Sequence, residues 1–183
     1  MNKKALIFPG GFQYAENYTG YKGIDIWLKS ASSTKIPIVD FYIGHSAGAS
    51  FILSNYNSIR SGKFIFINPL IRKRNVILFL WAWIKFFIFE GRKKKHKLKT
   101  LVPMHDWLFG FRKVLELIRV DVLDIIQRIP KDNIVIVRGK DDYYFCDKKS
   151  VEIIQQNGIK FIEVDAGHDW NEKIAETVKN LTN

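Results

Sequence analysis

A serine between two evenly spaced glycines is the first group in this sequence with the means to do chemistry. It lies in Gly44-His45-Ser46-Ala47-Gly48, between an apolar run and a stretch with helical spacing. A sharp strand-to-helix turn would project the Ser46 hydroxyl above a sheet, and glycines at 44 and 48 let the two elements approach each other. A turn that only caps the helix would explain Ser46 but not both glycines. The pattern predicts a nucleophilic serine.

A nucleophilic serine needs a base, and histidine takes this role most often. His168 follows the apolar run Lys160–Val164 in a short loop. Loops at the carboxyl ends of parallel strands meet at one edge of a sheet, so we expect His168 to be the base. His105, which lies in Pro103-Met104-His105-Asp106-Trp107, is the weaker candidate. His45 neighbours the serine and is expected to point away from the site. His96 lies within a lysine run and is expected to be solvated.

Two more strand ends provide the remaining groups. Ile134–Arg138 leads into Gly139-Lys140-Asp141-Asp142, and either aspartate could orient the histidine and stabilise its imidazolium form. The first apolar run leads into Pro9-Gly10-Gly11-Phe12. We expect backbone N–H groups near Gly11 and Phe12, together with that of Ala47, to bind an oxyanion, although an ordinary tight turn also explains the glycine pair.

Short apolar runs alternate with stretches of helical spacing, which predicts an α/β fold with a mostly parallel sheet. The predicted strands are Ala5–Phe8, Pro37–Ile43, Lys63–Ile67, Ile134–Arg138 and Lys160–Val164. The predicted helices are Tyr21–Ser30, Ala47–Tyr56, Phe111–Ile129, Lys148–Gln156 and Asn171–Leu181.

Composition indicates one globular domain over residues 1–183, with 47% hydrophobic residues. The single cysteine, Cys146, cannot form an internal disulfide, and no secretory signal is visible at the start. Both observations favour the cytoplasm, with a peripheral membrane location left open.

The net charge of +11 is concentrated in Ile71–Thr100, which has ten basic residues and one acidic residue. Nucleic acid is not the expected partner, because the aromatic residues beside this charge form one apolar block.

Residues 71–107 form a basic, aromatic insert between the third and fourth predicted strands. Val76–Phe89 is apolar apart from Lys85, but it is shorter than the roughly 20 residues that span a bilayer. We therefore predict a helical element that resembles a lid. Its aromatic side chains either pack on the sheet or contact lipid. Its basic end favours anionic or membrane-borne substrates, and residues 76–99 could contact an anionic membrane surface.

These motifs together resemble the small, compact members of the α/β-hydrolase superfamily. The match runs from Ile7–Gly11 through the serine motif to the acid and histidine loops, in the chain order serine, aspartate, histidine. The resemblance implies that Asp142, three positions after a glycine, is the triad acid, with Asp141 as second choice. It also implies a three-layer fold. Only 32 residues separate Gly11 from Gly44, so we expect a sheet reduced to about five strands in the order 1-2-3-4-5.

The resemblance and the residues together predict a serine hydrolase. Its substrate would be a small-molecule carboxylic ester or thioester, cleaved through an acyl-serine intermediate. No metal or organic cofactor is expected, because the sequence has no zinc-type Cys/His cluster and no phosphate loop. The alternative is a catalytically idle hydrolase fold that binds a membrane surface or a protein.

Overall fold

The computed structural model describes residues 3–59, 61–73, 75–91 and 101–183, and within them a parallel sheet of six strands forms the centre of the molecule. The strands are β1 (Ala5–Phe8), β2 (Lys22–Gly23), β3 (Phe41–His45), β4 (Lys63–Ile67), β5 (Ile134–Gly139) and β6 (Phe161–Val164). Their order is β2-β1-β3-β4-β5-β6, and every neighbouring pair is parallel. The predicted parallel α/β architecture is confirmed.

Helices follow the strands as the alternating pattern predicts. They are α1 (Ala47–Ser54), α2 (Val76–Phe86), α3 (Trp107–Leu117), α4 (Val122–Arg128), α5 (Lys148–Gln156) and α6 (Glu172–Thr182). A π-helical turn, Phe87–Gly91, continues α2. Short 3-10 turns occur at Ala15–Asn17, Lys29–Ala31, Tyr56–Ser58, Met104–Asp106 and Lys131–Asn133. Helix α5 has the predicted bounds, and the Asp147 side chain caps its first turn by accepting a hydrogen bond from the Ser150 N–H at 3.0 Å.

The sheet is covered on both faces because alternate residues of its strands enter two apolar clusters. In β4, Phe64 and Phe66 belong to the larger cluster, which includes buried residues of α1 to α5. Ile65 and Ile67 belong to the smaller cluster, with residues of α6. This two-sided burial explains why the strand sequences are continuously apolar, and it produces the expected three layers.

The segment after β1 differs from its prediction. The predicted helix over Tyr21–Ser30 is wrong, because this segment forms β2 and an irregular stretch that follows the edge of β1. Lys22 is in register with Leu6, and the Ile24 N–H donates to the Ile7 carbonyl at 3.1 Å. The two-residue β2 makes six strands instead of the expected five, and it covers the sheet edge outside β1.

Three other predicted elements differ from the observed ones by two residues or more. The predicted helix Phe111–Ile129 is two helices, because the chain turns at 118–121 and Asp121 caps α4 by accepting a hydrogen bond from the Asp124 N–H. The predicted strand Pro37–Ile43 begins later, at Phe41, and continues to His45. Helix α1 ends at Ser54, before the predicted Tyr56.

The insert contains the predicted helical element. Asn75 caps α2 by accepting a hydrogen bond from the Leu78 N–H at 2.8 Å. Phe79, Ala82 and Phe86 form one stripe of α2 and are buried in the larger cluster. The basic end of the insert, residues 92–100 with His96, lies outside the described residues.

Gly48→Ala is expected to destabilise the fold. A Cβ at residue 48 would lie inside van der Waals contact of the Phe8 carbonyl oxygen, so α1 would have to move away from β1. Overpacking of this kind costs about 1–3 kcal/mol of unfolding free energy. Gly11→Ala is the matched control, because a Cβ there would meet no atom within 4 Å. Urea denaturation should show a loss for the first variant only, and equal losses would contradict this packing argument.

Candidate active site

Ser46 occupies a strained turn between β3 and α1. Its backbone has φ 51° and ψ −116°, in the positive-φ region that non-glycine residues rarely adopt. The Ser46 N–H donates to the Ile67 carbonyl at 2.8 Å, which ties the turn to the end of β4. A Cβ at Gly44 would lie 2.6 Å from the Ala49 Cα, so this glycine, like Gly48, permits the close strand–helix approach. The turn has the geometry of a nucleophile elbow.

His168 and Asp142 form a hydrogen-bonded pair. The His168 Nδ1 lies 2.7 Å from the Asp142 Oδ2, and both side chains are buried. A neutral imidazole that donates from Nδ1 to a carboxylate keeps its lone pair on Nε2, the atom that a general base uses. Ser46 and His168 line the same cavity, and among the described residues no hydrogen bond joins their side chains. In unliganded hydrolases this bond is often long and shortens when substrate binds.

Asp142 is held in its charged form by its surroundings. Burial on its own raises the pKa of this carboxyl group. The charge and hydrogen bond of His168, together with backbone N–H groups of Phe145 and Cys146, outweigh burial and lower the pKa below its ordinary value. These two N–H groups each donate to Asp142 at 3.0 Å. The carboxylate is therefore fixed on three sides, which suits a group that must orient an imidazole.

The other candidate acid and base lie elsewhere. Asp141 is exposed and accepts a hydrogen bond from the Tyr143 hydroxyl at 2.8 Å. His105 is exposed, pairs with Asp106 at 3.4 Å, and is not part of the cavity lining. Neither Asp141 nor His105 lines the cavity that contains Ser46, whereas His168 does.

Three backbone N–H groups beside Ser46 are without partners in the described part of the chain. Gly11, Phe12 and Ala47 line the cavity, and no described residue accepts a hydrogen bond from their N–H groups. Phe12 and Ala47 are buried, and buried unpaired backbone donors are rare. Phe12 also has a positive φ of 60°. Unpaired backbone N–H groups beside a serine are the type of donor that binds a developing oxyanion.

The cavity above these groups has a volume of about 300 Å³ and is largely apolar. Its polar end contains Ser46 and His168. Most of its apolar lining comes from the insert and α3, with side chains that include Phe79, Trp83, Phe86, Leu101, Phe111 and Val114. The cavity can therefore hold a hydrocarbon chain with one end at the serine.

His45 does not point away from the site, so that prediction was wrong. Its ring nitrogen Nε2 lies 2.9 Å from the His168 carbonyl, and its Nδ1 lies 2.6 Å from the Tyr18 hydroxyl. The Tyr18 hydroxyl in turn accepts a hydrogen bond from the Gly10 N–H at 2.8 Å. His45 is the last residue of β3, and it lies on the same face of the strand as Ile43, which packs in the smaller apolar cluster with Tyr18. At this end of the strand its ring contacts the loops that follow β1 and β6. His45 thereby connects the loop after β1 with the loop that carries His168.

Asn68 is a site residue that sequence reasoning missed. It is fully buried at the end of β4 with φ 45°. Its Nδ2 donates to the His168 carbonyl at 2.7 Å, and its Oδ1 accepts from the Gly139 N–H at 2.7 Å. His45 and Asn68 thus fix the same carbonyl. In the sequence, Asn68 is a polar residue at the carboxyl end of a predicted strand and is followed by Pro69, and this position could have indicated a site residue.

No metal centre accompanies these groups in the described part of the chain. Residues 3–59, 61–73, 75–91 and 101–183 contain no group of three or more His, Cys, Asp or Glu side chains that could hold a metal ion.

Protonation of His45 is expected to weaken the fold below neutral pH. Burial lowers the pKa of His45 from its ordinary 6.5 to about 4, and repulsion from His168 acts in the same direction. The unfolded chain therefore takes up a proton near pH 6.5 that the folded protein does not bind until about pH 4. The unfolding free energy should fall with decreasing pH across this window, by up to about 1.4 kcal/mol per pH unit.

Urea denaturation at several pH values measures this effect. His45→Gln removes the titrating group and should show a shallower slope, whereas His105→Gln, which removes an exposed histidine, should keep the original slope. A His45→Gln protein with the original slope would show that another group causes the pH dependence.

Comparisons with known proteins place the fold. No family model matches the sequence, and no curated protein is similar to it at a significant level. Among solved structures, an α/β hydrolase from a Medee basin deep-sea metagenome library is similar with a TM-score of 0.57 and 13% identity, over 100% of this chain and 88% of that chain. The N-formylmaleamic acid deformylase from Pseudomonas putida is similar with a TM-score of 0.55 and 13% identity, over 92% and 86% of the two chains.

A monoacylglycerol lipase from Paleococcus ferrophilus is similar with a TM-score of 0.50 and 13% identity, over 97% of this chain and 93% of that chain. Identities this low carry information on the fold alone. The similarity extends over nearly the whole chain in each case, and it agrees with the parallel sheet and the strand–turn–helix at Ser46. The chain has the fold of the α/β-hydrolase superfamily.

Proposed function

We propose that this protein is a serine hydrolase that cleaves a carboxylic ester or thioester through an acyl-serine intermediate. The observation that carries the proposal is the arrangement beside one apolar cavity. Ser46 lies on a positive-φ turn, and the His168 Nδ1 is hydrogen-bonded to the Oδ2 of buried Asp142 at 2.7 Å. No metal or organic cofactor enters the proposed reaction.

The first half of the reaction transfers the acyl group to the protein. The Ser46 Oγ attacks the carbonyl carbon while its proton moves to the His168 Nε2. The carbonyl oxygen becomes an oxyanion, and the N–H groups near Gly11, Phe12 and Ala47 donate to it. The bond to the leaving group then breaks, and the leaving alcohol or thiol takes the proton from His168.

The second half repeats these roles with water. Water gives a proton to His168 as its oxygen attacks the acyl-serine, and the new tetrahedral species releases the carboxylic acid. The proton returns to the Ser46 oxygen. Asp142 stabilises the imidazolium in both halves, and its lowered pKa keeps it charged for this purpose.

Acyl substrates fit the cavity better than polar ones. The lining beyond Ser46 is aromatic and aliphatic, and a bound acyl chain would release water from it. One solved structure that shares the fold is a monoacylglycerol lipase, whose named substrate is also an acyl ester.

The second candidate function, an idle hydrolase fold that binds a membrane or a protein, is motivated by the exposed apolar residues of the insert. Turnover that depends on Ser46 distinguishes the two.

The triad roles predict different effects for two neighbouring aspartates. Hydrolysis of p-nitrophenyl butyrate should fall about 10²–10⁴-fold in Asp142→Asn, because the imidazole loses its orienting carboxylate. Asp141→Asn, one residue away and exposed, is the matched control and should stay within about twofold of the unmodified rate, since surface changes have small effects. Ser46→Ala should abolish turnover. The reverse order for the aspartates would make Asp141 the acid, and unchanged turnover in Ser46→Ala would overturn the proposal.

The size of the cavity predicts a dependence on acyl length. Val114 lines the cavity from α3. Val114→Phe should fill part of it and lower the kcat/KM ratio of octanoate to acetate esters by about tenfold, whereas Val114→Ala should raise this ratio. Steady-state kinetics on a p-nitrophenyl ester series measures both. Shifts of the same sign in the two variants would show that the acyl chain binds elsewhere.

A further inference from the structure

Helix α2 is apolar on its exposed side as well as on its buried side. One stripe, Phe79, Ala82 and Phe86, is buried in the core. A second stripe faces solvent at helical spacing, and its members are Ile77, Leu80, Trp81 and Ile84. The Ile77 side chain is 77% exposed. A helix that is hydrophobic all round is normally enclosed by protein or lipid, so the exposed stripe indicates a missing partner.

Helix α3 extends this apolar surface. Leu108 is 85% exposed, and Phe111 and Leu115 follow on the same side of the helix. Met104, in the turn before α3, is also exposed. We call the exposed apolar residues of α2, the π-helical turn, the turn before α3 and α3 the apolar rim. Its members are Ile77, Leu78, Leu80, Trp81, Ile84, Phe87, Ile88, Phe89, Met104, Leu108, Phe111 and Leu115.

Part of the apolar rim lines the cavity above Ser46. Leu80, Phe87, Phe111 and Leu115 are exposed to solvent and also line the cavity. The apolar surface is therefore continuous from the outside of the molecule to the cavity interior. A hydrocarbon chain that entered along this route would not cross a polar barrier.

The sequence of the insert is strongly basic. Lys85 is exposed on α2, and its Nζ lies 5.3 Å from the centre of the Trp81 ring. In the sequence, α2 and its π-helical turn are followed directly by Arg92, Lys93, Lys94 and Lys95. Residues 71–100 together carry a net charge of +9. Basic residues beside an apolar face are attracted to anionic lipid, and each adds to the binding.

Lipid fits the apolar rim better than a protein partner does. Protein interfaces form hydrogen bonds throughout their area, whereas Lys85 and two indole N–H groups are the only polar side-chain groups of α2. Exposed Trp81 is of the residue type that is enriched at membrane–water boundaries. Among the described residues no helix is long and apolar enough to cross a bilayer.

We propose that the apolar rim docks on an anionic lipid surface and places the cavity opening against the lipid. Ile77, Trp81 and Leu108 would enter the headgroup boundary, and Lys85 would contact anionic headgroups. This docking rests on the proposed hydrolase function. The substrates would be acyl esters or thioesters that reside in the lipid layer and enter the cavity acyl chain first.

Vesicle flotation of the Ser46→Ala protein tests the docking without turnover. The probes are vesicles of phosphatidylcholine alone and vesicles of equal parts phosphatidylcholine and phosphatidylglycerol. We expect binding to the mixed vesicles and at least about tenfold weaker binding to the neutral ones, with binding reduced by added salt. Ile77→Glu in the same background should weaken binding to the mixed vesicles by about tenfold or more.

Ile38→Glu is the matched control. Ile38 is 79% exposed, almost the same as Ile77, but it precedes β3 at the opposite end of the strands from the cavity. This variant should bind as well as its parent, and circular dichroism checks that both variants are folded. Equal losses in the two variants, or no binding by the parent, would overturn the docking. A dimer in vesicle-free solution that Ile77→Glu dissociates would assign the surface to a second copy of the chain and would also overturn it.

The test separates this inference from the function on which it rests. Turnover of a water-soluble ester by the unmodified protein, together with absent vesicle binding, would refute the docking alone. Vesicle binding without any turnover would refute the hydrolase function and, with it, the assigned substrate class.

Discussion

The close contact between α1 and β1 is the constraint on which the site depends. A side chain at residue 48 would collide with the Phe8 carbonyl, and only glycine lets the helix begin so near the neighbouring strand. This contact places the start of α1, with the Ala47 N–H, beside the Pro9–Phe12 loop. It also requires the chain to turn sharply at Ser46, which explains the positive φ of that residue. Strain at the serine is thus a consequence of packing that brings the Ser46 hydroxyl group near the backbone N–H groups of Ala47 and of the loop after β1.

A buried polar network supports the opposite wall of the site. The His168 carbonyl accepts hydrogen bonds from both His45 and Asn68, so the loop after β6 is fixed from β3 and β4 at once. Tyr18 continues the network to the Gly10 N–H, on the loop after β1. Buried polar groups cost stability unless each has a partner, and here the partners are backbone groups of the loops that carry the site. The network therefore positions His168 and the loop after β1 relative to each other.

The sequence was most informative where one motif implies one local structure. The spacing in Gly44–Gly48 predicted the strand–turn–helix, and the capped, amphipathic α5 was predicted with its bounds. Sequence reasoning failed at Tyr21–Ser30, where apolar residues at helical spacing pair with the edge of β1 and fill the core instead, because tertiary contacts override local preference. It also misplaced His45 and missed Asn68. Their roles depend on which loops cross the strand ends, and this is a property of the assembled sheet that no local pattern contains.

In the proposed mechanism, the environment of Ser46 makes its hydroxyl group unusually nucleophilic. Labelling of the purified protein with a fluorophosphonate, followed by mass spectrometry of its peptides, measures this reactivity. Such a probe reacts with a serine that a neighbouring base activates, and it needs no knowledge of the natural substrate. We predict a single adduct on Ser46 that is lost in His168→Ala while that variant stays folded. A folded protein that forms no adduct, or one whose adduct is on another residue or persists without His168, would contradict the account.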